Sequence, residues 1–105
     1  MDKYRNIFSD TDIDVANVLV WRRADIVFAE LDEEIVILHH SSGYYKGLNK
    51  IGAFIWKKLE QKIKVKYLLQ SILKHYLVDE KQCACDLYSF LQILANDGLI
   101  DFEIE

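Results

Sequence analysis

The stretch Gly43-Tyr44-Tyr45-Lys46-Gly47-Leu48-Asn49-Lys50-Ile51-Gly52-Ala53-Phe54-Ile55-Trp56 constrains this chain most, because it leaves no linker between a strand and a helix. Tyr44, Tyr45 and Leu48 supply strand-type side chains, and Gly43 and Gly47 loosen the two ends. Asn49 stands where a helix N-cap is wanted, and Ile51, Ile55 and Leu59 then repeat at helical spacing. A strand that runs straight into a helix fixes the angle between a sheet and a helical layer. The rest of the chain has to be arranged around that junction.

Upstream, Ile26-Val27-Phe28-Ala29-Glu30-Leu31 alternates as a strand, Asp32-Glu33-Glu34 breaks it, and Ile35-Val36-Ile37-Leu38-His39 is apolar and β-branched like a central strand. Ser41-Ser42-Gly43 makes the next turn, with glycine placed for a positive φ. Connections this short join only antiparallel neighbours, so residues 26–48 are predicted to form a three-stranded meander. Three helices follow. The first spans about Lys50 to Gln61 with Ile51, Ile55, Trp56 and Leu59 inward, and the second about Val65 to Tyr76 with Val65, Leu68, Leu69, Ile72, Leu73 and Tyr76 inward. The third is capped by Asp79, carries the stripe Leu87, Phe90, Leu91 and Leu94, and stops at Asp97-Gly98. Leu19-Val20-Trp21-Arg22-Arg23 and the alternating tail Leu99–Ile104 read as short strands, either of which would cover the 26–31 edge. The expected class is α+β: a three-stranded antiparallel meander followed by a three-helix, winged helix-turn-helix-like cluster. Residues 1–17 form a polar N-terminal segment, partly ordered where Ile7, Phe8 or Ile13 finds a groove, and residues 18–105 form the domain.

Composition narrows the function classes. A chain of 105 residues makes one domain with a modest core and little room for a deep catalytic cavity. Its net charge of −4 argues against a polyanion as the main partner, since nucleic-acid affinity comes chiefly from phosphate neutralisation. No apolar run approaches the roughly 18 residues that span a bilayer, and nothing behind Met1 resembles a signal peptide, so a cytoplasmic location is expected and no membrane partner. Cys83 and Cys85 point about 200° apart on a helix, too far to share a disulfide or a metal, and are expected to be small buried or half-buried residues. Proline is absent, so Gly, Asn, Asp and Ser must make every turn.

Catalytic groupings are not found. His39 and His40 are strand neighbours that face opposite ways, and His75 stands beside Lys74 with no third ligand at metal spacing. Asp32-Glu33-Glu34 reads as a solvated turn rather than a general-acid cluster, and no glycine-rich phosphate loop is present. The expectation is a protein that is not an enzyme and holds no metal or cofactor. DNA binding is weighed against the third helix, which carries Glu80, Asp86 and Asp97 against Lys81, a net charge of −2 that phosphates would repel. The lysines of the connector, Lys57, Lys58, Lys62, Lys64 and Lys66, are read as a solvated surface turn. What remains is the edge of the third strand, aromatic, free of proline and defended only by Lys46. Such an edge can accept an extended peptide, with Asp86, Phe90 and Ile93 of the third helix as a wall. The plainer alternative is that the tyrosines and Ile93 complete the core.

Three runs of residues also carry a resemblance. Phe28-Ala29-Glu30-Leu31, Ser42-Gly43-Tyr44-Tyr45-x-x-Leu48-Asn49-x-Ile51-Gly52-x-x-Ile55-Trp56, and Cys83-x-x-Asp86-Leu87-x-x-Phe90-Leu91-x-x-Leu94-x-x-x-Gly98-Leu99-Ile100 together resemble the PqqD-like family, the RiPP recognition elements. The chain looks most like the stand-alone members of lasso-peptide gene clusters, over about residues 20–101. The resemblance implies a non-catalytic chaperone that binds the leader of a ribosomal precursor peptide as a strand added to the third strand. In lasso systems the leader is presented to a transglutaminase-like cysteine protease, its peptidase, and a cyclase closes the core peptide. Carried over, the peptide-binding edge is Tyr44, Tyr45, Lys46, Gly47 and Leu48, and the wall is Asp86, Leu87, Phe90 and Ile93 or Leu94. This strand is one residue longer than the family's shorter Gly-x-Tyr-x-x-Leu-Asn form, and a bulge at Gly47 is expected to absorb it. The competing readings are a winged-helix DNA-binding regulator, a PqqD-type chaperone for a radical-SAM peptide-modifying enzyme, and a homodimer joined through two third strands.

Overall fold

The computed structural model describes residues 7–10, 12–39 and 43–104. His40, Ser41 and Ser42 of the expected turn, and residues 1–6 of the N-terminal segment, lie outside the described residues. The elements in chain order are β1 (Leu19–Arg22), β2 (Phe28–Leu31), β3 (Glu34–His39), β4 (Tyr44–Leu48), α1 (Lys50–Lys58), β5 (Ile63–Lys64), α2 (Val65–His75), α3 (Glu80–Asn96) and β6 (Ile100–Glu103). Short 3-10 turns at Ile7–Ser9 and Val15–Asn17 precede them.

β2, β3 and β4 form the antiparallel meander in chain order. Gly43 ends the β3–β4 turn at φ 75°, a conformation that side-chain sterics disfavour elsewhere. One expectation is corrected here. The 19–23 and 99–104 segments do not cover β2; β1 pairs with β6 and with β5 in a second three-stranded sheet. Leu99, Ile100 and Val20 are buried, so this second sheet forms where the tail returns to the core. Two residues of the basic connector, Ile63 and Lys64, supply its third strand.

The core lies between the inner face of the meander and the helices. Ile35, Ile37 and Leu48 of the sheet meet Trp56, Leu59, Leu68, Ile72, Leu87, Leu91 and Leu94. Both predicted caps form: Asn49 accepts a hydrogen bond from Gly52 N at 2.9 Å, and Asp79 accepts one from Gln82 N at 2.9 Å. Each satisfies a helix N–H that would otherwise lack a partner, a contribution of about 1 kcal/mol. Gly98 closes α3 at φ 74°. α1 ends at Lys58, short of the expected Gln61, because Leu59 and Glu60 turn the chain into β5. Ile51 departs from the inward stripe and is 36% exposed. Cys85 departs as well: it is exposed, while Cys83 is half-buried.

At the N-terminal end Ile7 and Phe8 are buried. Phe8 N donates to Gln92 Oε1 at 3.1 Å, and its ring meets Phe102 edge-on at 6.0 Å. No helix among the described residues is long and apolar enough to cross a membrane.

Candidate functional site

The site is built from the outer edge of β4. The β3–β4 register is continuous, from Ile35 opposite Leu48 to His39 opposite Tyr44. Gly47 sits squarely opposite Val36, so the expected bulge is absent and strict alternation holds along the strand. Leu48 therefore points into the core and Lys46 toward the helices, while Tyr45 stands on the opposite face, 73% exposed. Tyr44, at the strand's start, is 75% exposed.

Alternation also decides where the backbone points. Leu38 N donates to Val27 O at 2.9 Å, so the even residues of β3 bond to β2 and its odd residues turn toward β4. Their partners Tyr44, Lys46 and Leu48 carry the β3–β4 ladder. The N–H and C=O groups of Tyr45 and Gly47 face the outer edge, where no strand pairs among the described residues.

Alongside this edge runs a cleft of about 560 Å³, within the range of small-ligand and peptide sites. One side is Gly47, Leu48, Asn49 and the first turns of α1, with Ile51, Gly52 and Ile55. The other is Gln82, Cys83, Asp86, Leu87 and Phe90 of α3, with Ile72, Val78 and Asp79 completing it. The floor is apolar because Leu48, Ile55, Ile72 and Leu87 are core residues seen from their outer side. Gly52 matters for shape: a Cβ there would lie 3.4 Å from Phe90 Cζ and 3.3 Å from Asn49 Oδ1. The bare backbone lets the Phe90 ring lie close against α1.

Of the residues expected from sequence, Gly47, Leu48, Asp86, Leu87 and Phe90 come together in the cleft. Lys46 reaches past it to Asp97 at 3.2 Å, tying β4 to the end of α3. Ile93 is 48% exposed but does not line the cleft. Leu94 is wholly buried, since it shares the inward stripe of Leu87 and Leu91. Sequence reasoning missed Ile51, Gly52, Val78 and Gln82. An apolar residue in the first turn of α1 beside a glycine is the available signal, although the helical phase of Ile51 points it to the core.

Burial, and secondarily the charge of Asp86, pushes the Cys83 thiol up from its ordinary value, so it stays protonated at neutral pH. Among the described residues no three His, Cys, Asp or Glu side chains gather as a metal site. The connector lysines are largely engaged: Lys57 pairs with Glu30 at 3.6 Å, and Lys62 pairs with Glu103 at 3.5 Å and lies over Trp21 at 4.4 Å.

Residues 34–100 match the family model described as coenzyme PQQ synthesis protein D (PqqD). A solved structure described as TbiB1 in complex with the TbiA(beta) leader peptide is similar, at 34% sequence identity and a TM-score of 0.69. That likeness covers 77% of this chain and 94% of TbiB1. No curated protein matches the chain. The family match takes in β3, β4, the three helices and both sides of the cleft, and on it the chain belongs to the PqqD family.

Proposed function

We propose that this protein is a RiPP recognition element that binds the leader segment of a ribosomally made precursor peptide. The leader adds as a strand to β4, hydrogen-bonding to the outward backbone groups of Tyr45 and Gly47, and seats alternate side chains in the cleft against Leu87, Phe90 and Asp86. The observation that carries this reading is an outer strand edge beside an apolar cleft, in a chain 34% identical to a protein solved with a leader peptide. The role is non-catalytic. The bound leader is presented to separate processing enzymes, a transglutaminase-like leader peptidase and a lasso cyclase. A second reading, favoured by the family match itself, makes the enzyme a radical-SAM peptide modifier while keeping the same binding mode.

Fluorescence polarisation with the labelled leader of the precursor encoded beside this chain tests the reading. Saturable binding below tens of micromolar is expected, and its absence there would sink the proposal. Adding the candidate peptidase, cyclase or radical-SAM enzyme to the complex then separates the two versions by which one is recruited.

A further inference from the structure

The apolar floor of the cleft hides a one-signed rim. Among the described residues two charged side chains line it, Asp79 and Asp86, and both are acidic. The lysine of the adjoining strand, Lys46, is already taken up by Asp97. The two acids differ in how far their charge is answered. Asp79 caps α3, accepting from Gln82 N, so the positive end of the helix dipole lies against it. Asp86 sits about two turns further along, beyond the reach of that dipole. Its Oδ1 accepts only from the neutral Gln82 Nε2 at 2.9 Å, and no lysine or arginine pairs with it among the described residues. Its field is felt inside the cleft, where it adds to burial in raising the Cys83 thiol.

A strand added to β4 brings alternate side chains to this wall. An acidic guest side chain would be repelled by Asp86, and an apolar one would strip water from a carboxylate without replacing it. A cation would supply the counter-charge that the protein does not. Resting on the leader-binding reading above, we propose that the guest peptide carries a lysine or arginine at the strand position facing Asp86. An apolar neighbour in the guest seats over Leu48 and Phe90, and Asp86 is the residue that selects for the charge.

A display library of random peptides of about ten residues, the upper length of a natural strand, tests this whatever the native leader is. It is panned against the full chain and against Asp86→Asn and Asp86→Lys variants. Peptides enriched on the unaltered chain should carry Lys or Arg at one fixed distance from an apolar anchor. The preference should vanish with Asp86→Asn and turn to Asp or Glu with Asp86→Lys. A synthetic copy of the best binder should lose about fivefold in affinity to Asp86→Asn, with a weaker salt dependence. Asparagine can still accept from Gln82, so melting should not move. Binders that are lost with Tyr45→Pro yet show no basic position would overturn the charge selection and leave leader binding intact. No Tyr45-dependent binder at all would overturn both.

Discussion

The meander has two outer strands, β2 and β4, and only one of them has the makings of a peptide site. As backbone they are alike: each is short, antiparallel to β3 and an edge of the same sheet. They differ in what stands beside them. The inner side chains of β2 are engaged: Phe28 meets Trp56 edge-on at 5.7 Å beneath the Arg22 guanidinium at 4.8 Å, and Glu30 pairs with Lys57. The hollow next to β2 is about 250 Å³, against about 560 Å³ beside β4. At β4, α3 stands off from the strand and leaves an apolar trough between them. An open edge supplies backbone affinity, which is the same for any peptide; a helix held at a distance supplies the side-chain pockets that make a partner specific.

The two edges can be removed one at a time. In Tyr45→Pro the lost N–H faces outward, so the β3–β4 ladder survives and only the guest's hydrogen bond and its approach are lost. Leader affinity should fall more than about tenfold, equivalent to about 1.4 kcal/mol. Glu30→Pro makes the same kind of change on β2, where register places residues 28 and 30 outward, and should leave affinity within about twofold. A larger loss from Glu30→Pro than from Tyr45→Pro would move the site to the other edge.

The paired aromatics sharpen the same contrast. Phe90 is half-buried in the cleft wall, whereas Phe28 packs on Trp56 inside the β2 side. Phe90→Ala should weaken leader binding by about 1–3 kcal/mol, as truncation of a central anchor does. Phe28→Ala should lower stability by about 2–3 kcal/mol through lost packing, while the folded fraction binds leader normally. Thermal melts alongside isothermal titration distinguish the two. Equal effects of both changes on binding would mean that the cleft is not where the guest lies.

How far the sequence reveals this asymmetry depends on the element. The meander, the three helices and the caps at Asn49 and Asp79 are legible because period-two and period-3.6 patterns and capping chemistry act over a few residues. The second sheet is not, since β1 and β6 are about eighty residues apart and nothing local in Leu19–Arg22 names its partner. In the site, Asp86, Leu87 and Phe90 are legible as one helical face. Ile51 is expected in the core and lines the cleft, while Leu94, expected in the apolar stripe and carried over from the resemblance only as an alternative to Ile93, lies in the core. Ile51 sits in the first turn of α1, where helical phase alone leaves the direction of burial open, whereas Leu94 follows the period of Leu87 and Leu91 inward. A bulge at Gly47 follows from strand length alone, but the register closes without one.

The finest test uses a reporter that the fold places only on the β4 side. Cys83 lines the cleft and Cys85, two residues on, is exposed and turned away by about 200°. The thiolate is the reactive form, and burial with the nearby Asp86 charge raises the Cys83 pKa, so near pH 8 less of it is ionised than of an ordinary thiol. Iodoacetamide should therefore modify Cys85 first, with the Cys83 rate still climbing as pH rises toward its raised pKa. Bound leader should slow Cys83 by a further factor of about three, because the guest removes both access and water, and should leave Cys85 untouched. Site-resolved mass spectrometry reads both rates in one sample, with Cys85 as the internal control. A leader seated on β2 would protect neither thiol, and a change that slowed both equally would report a general tightening of α3 rather than occupation of the cleft.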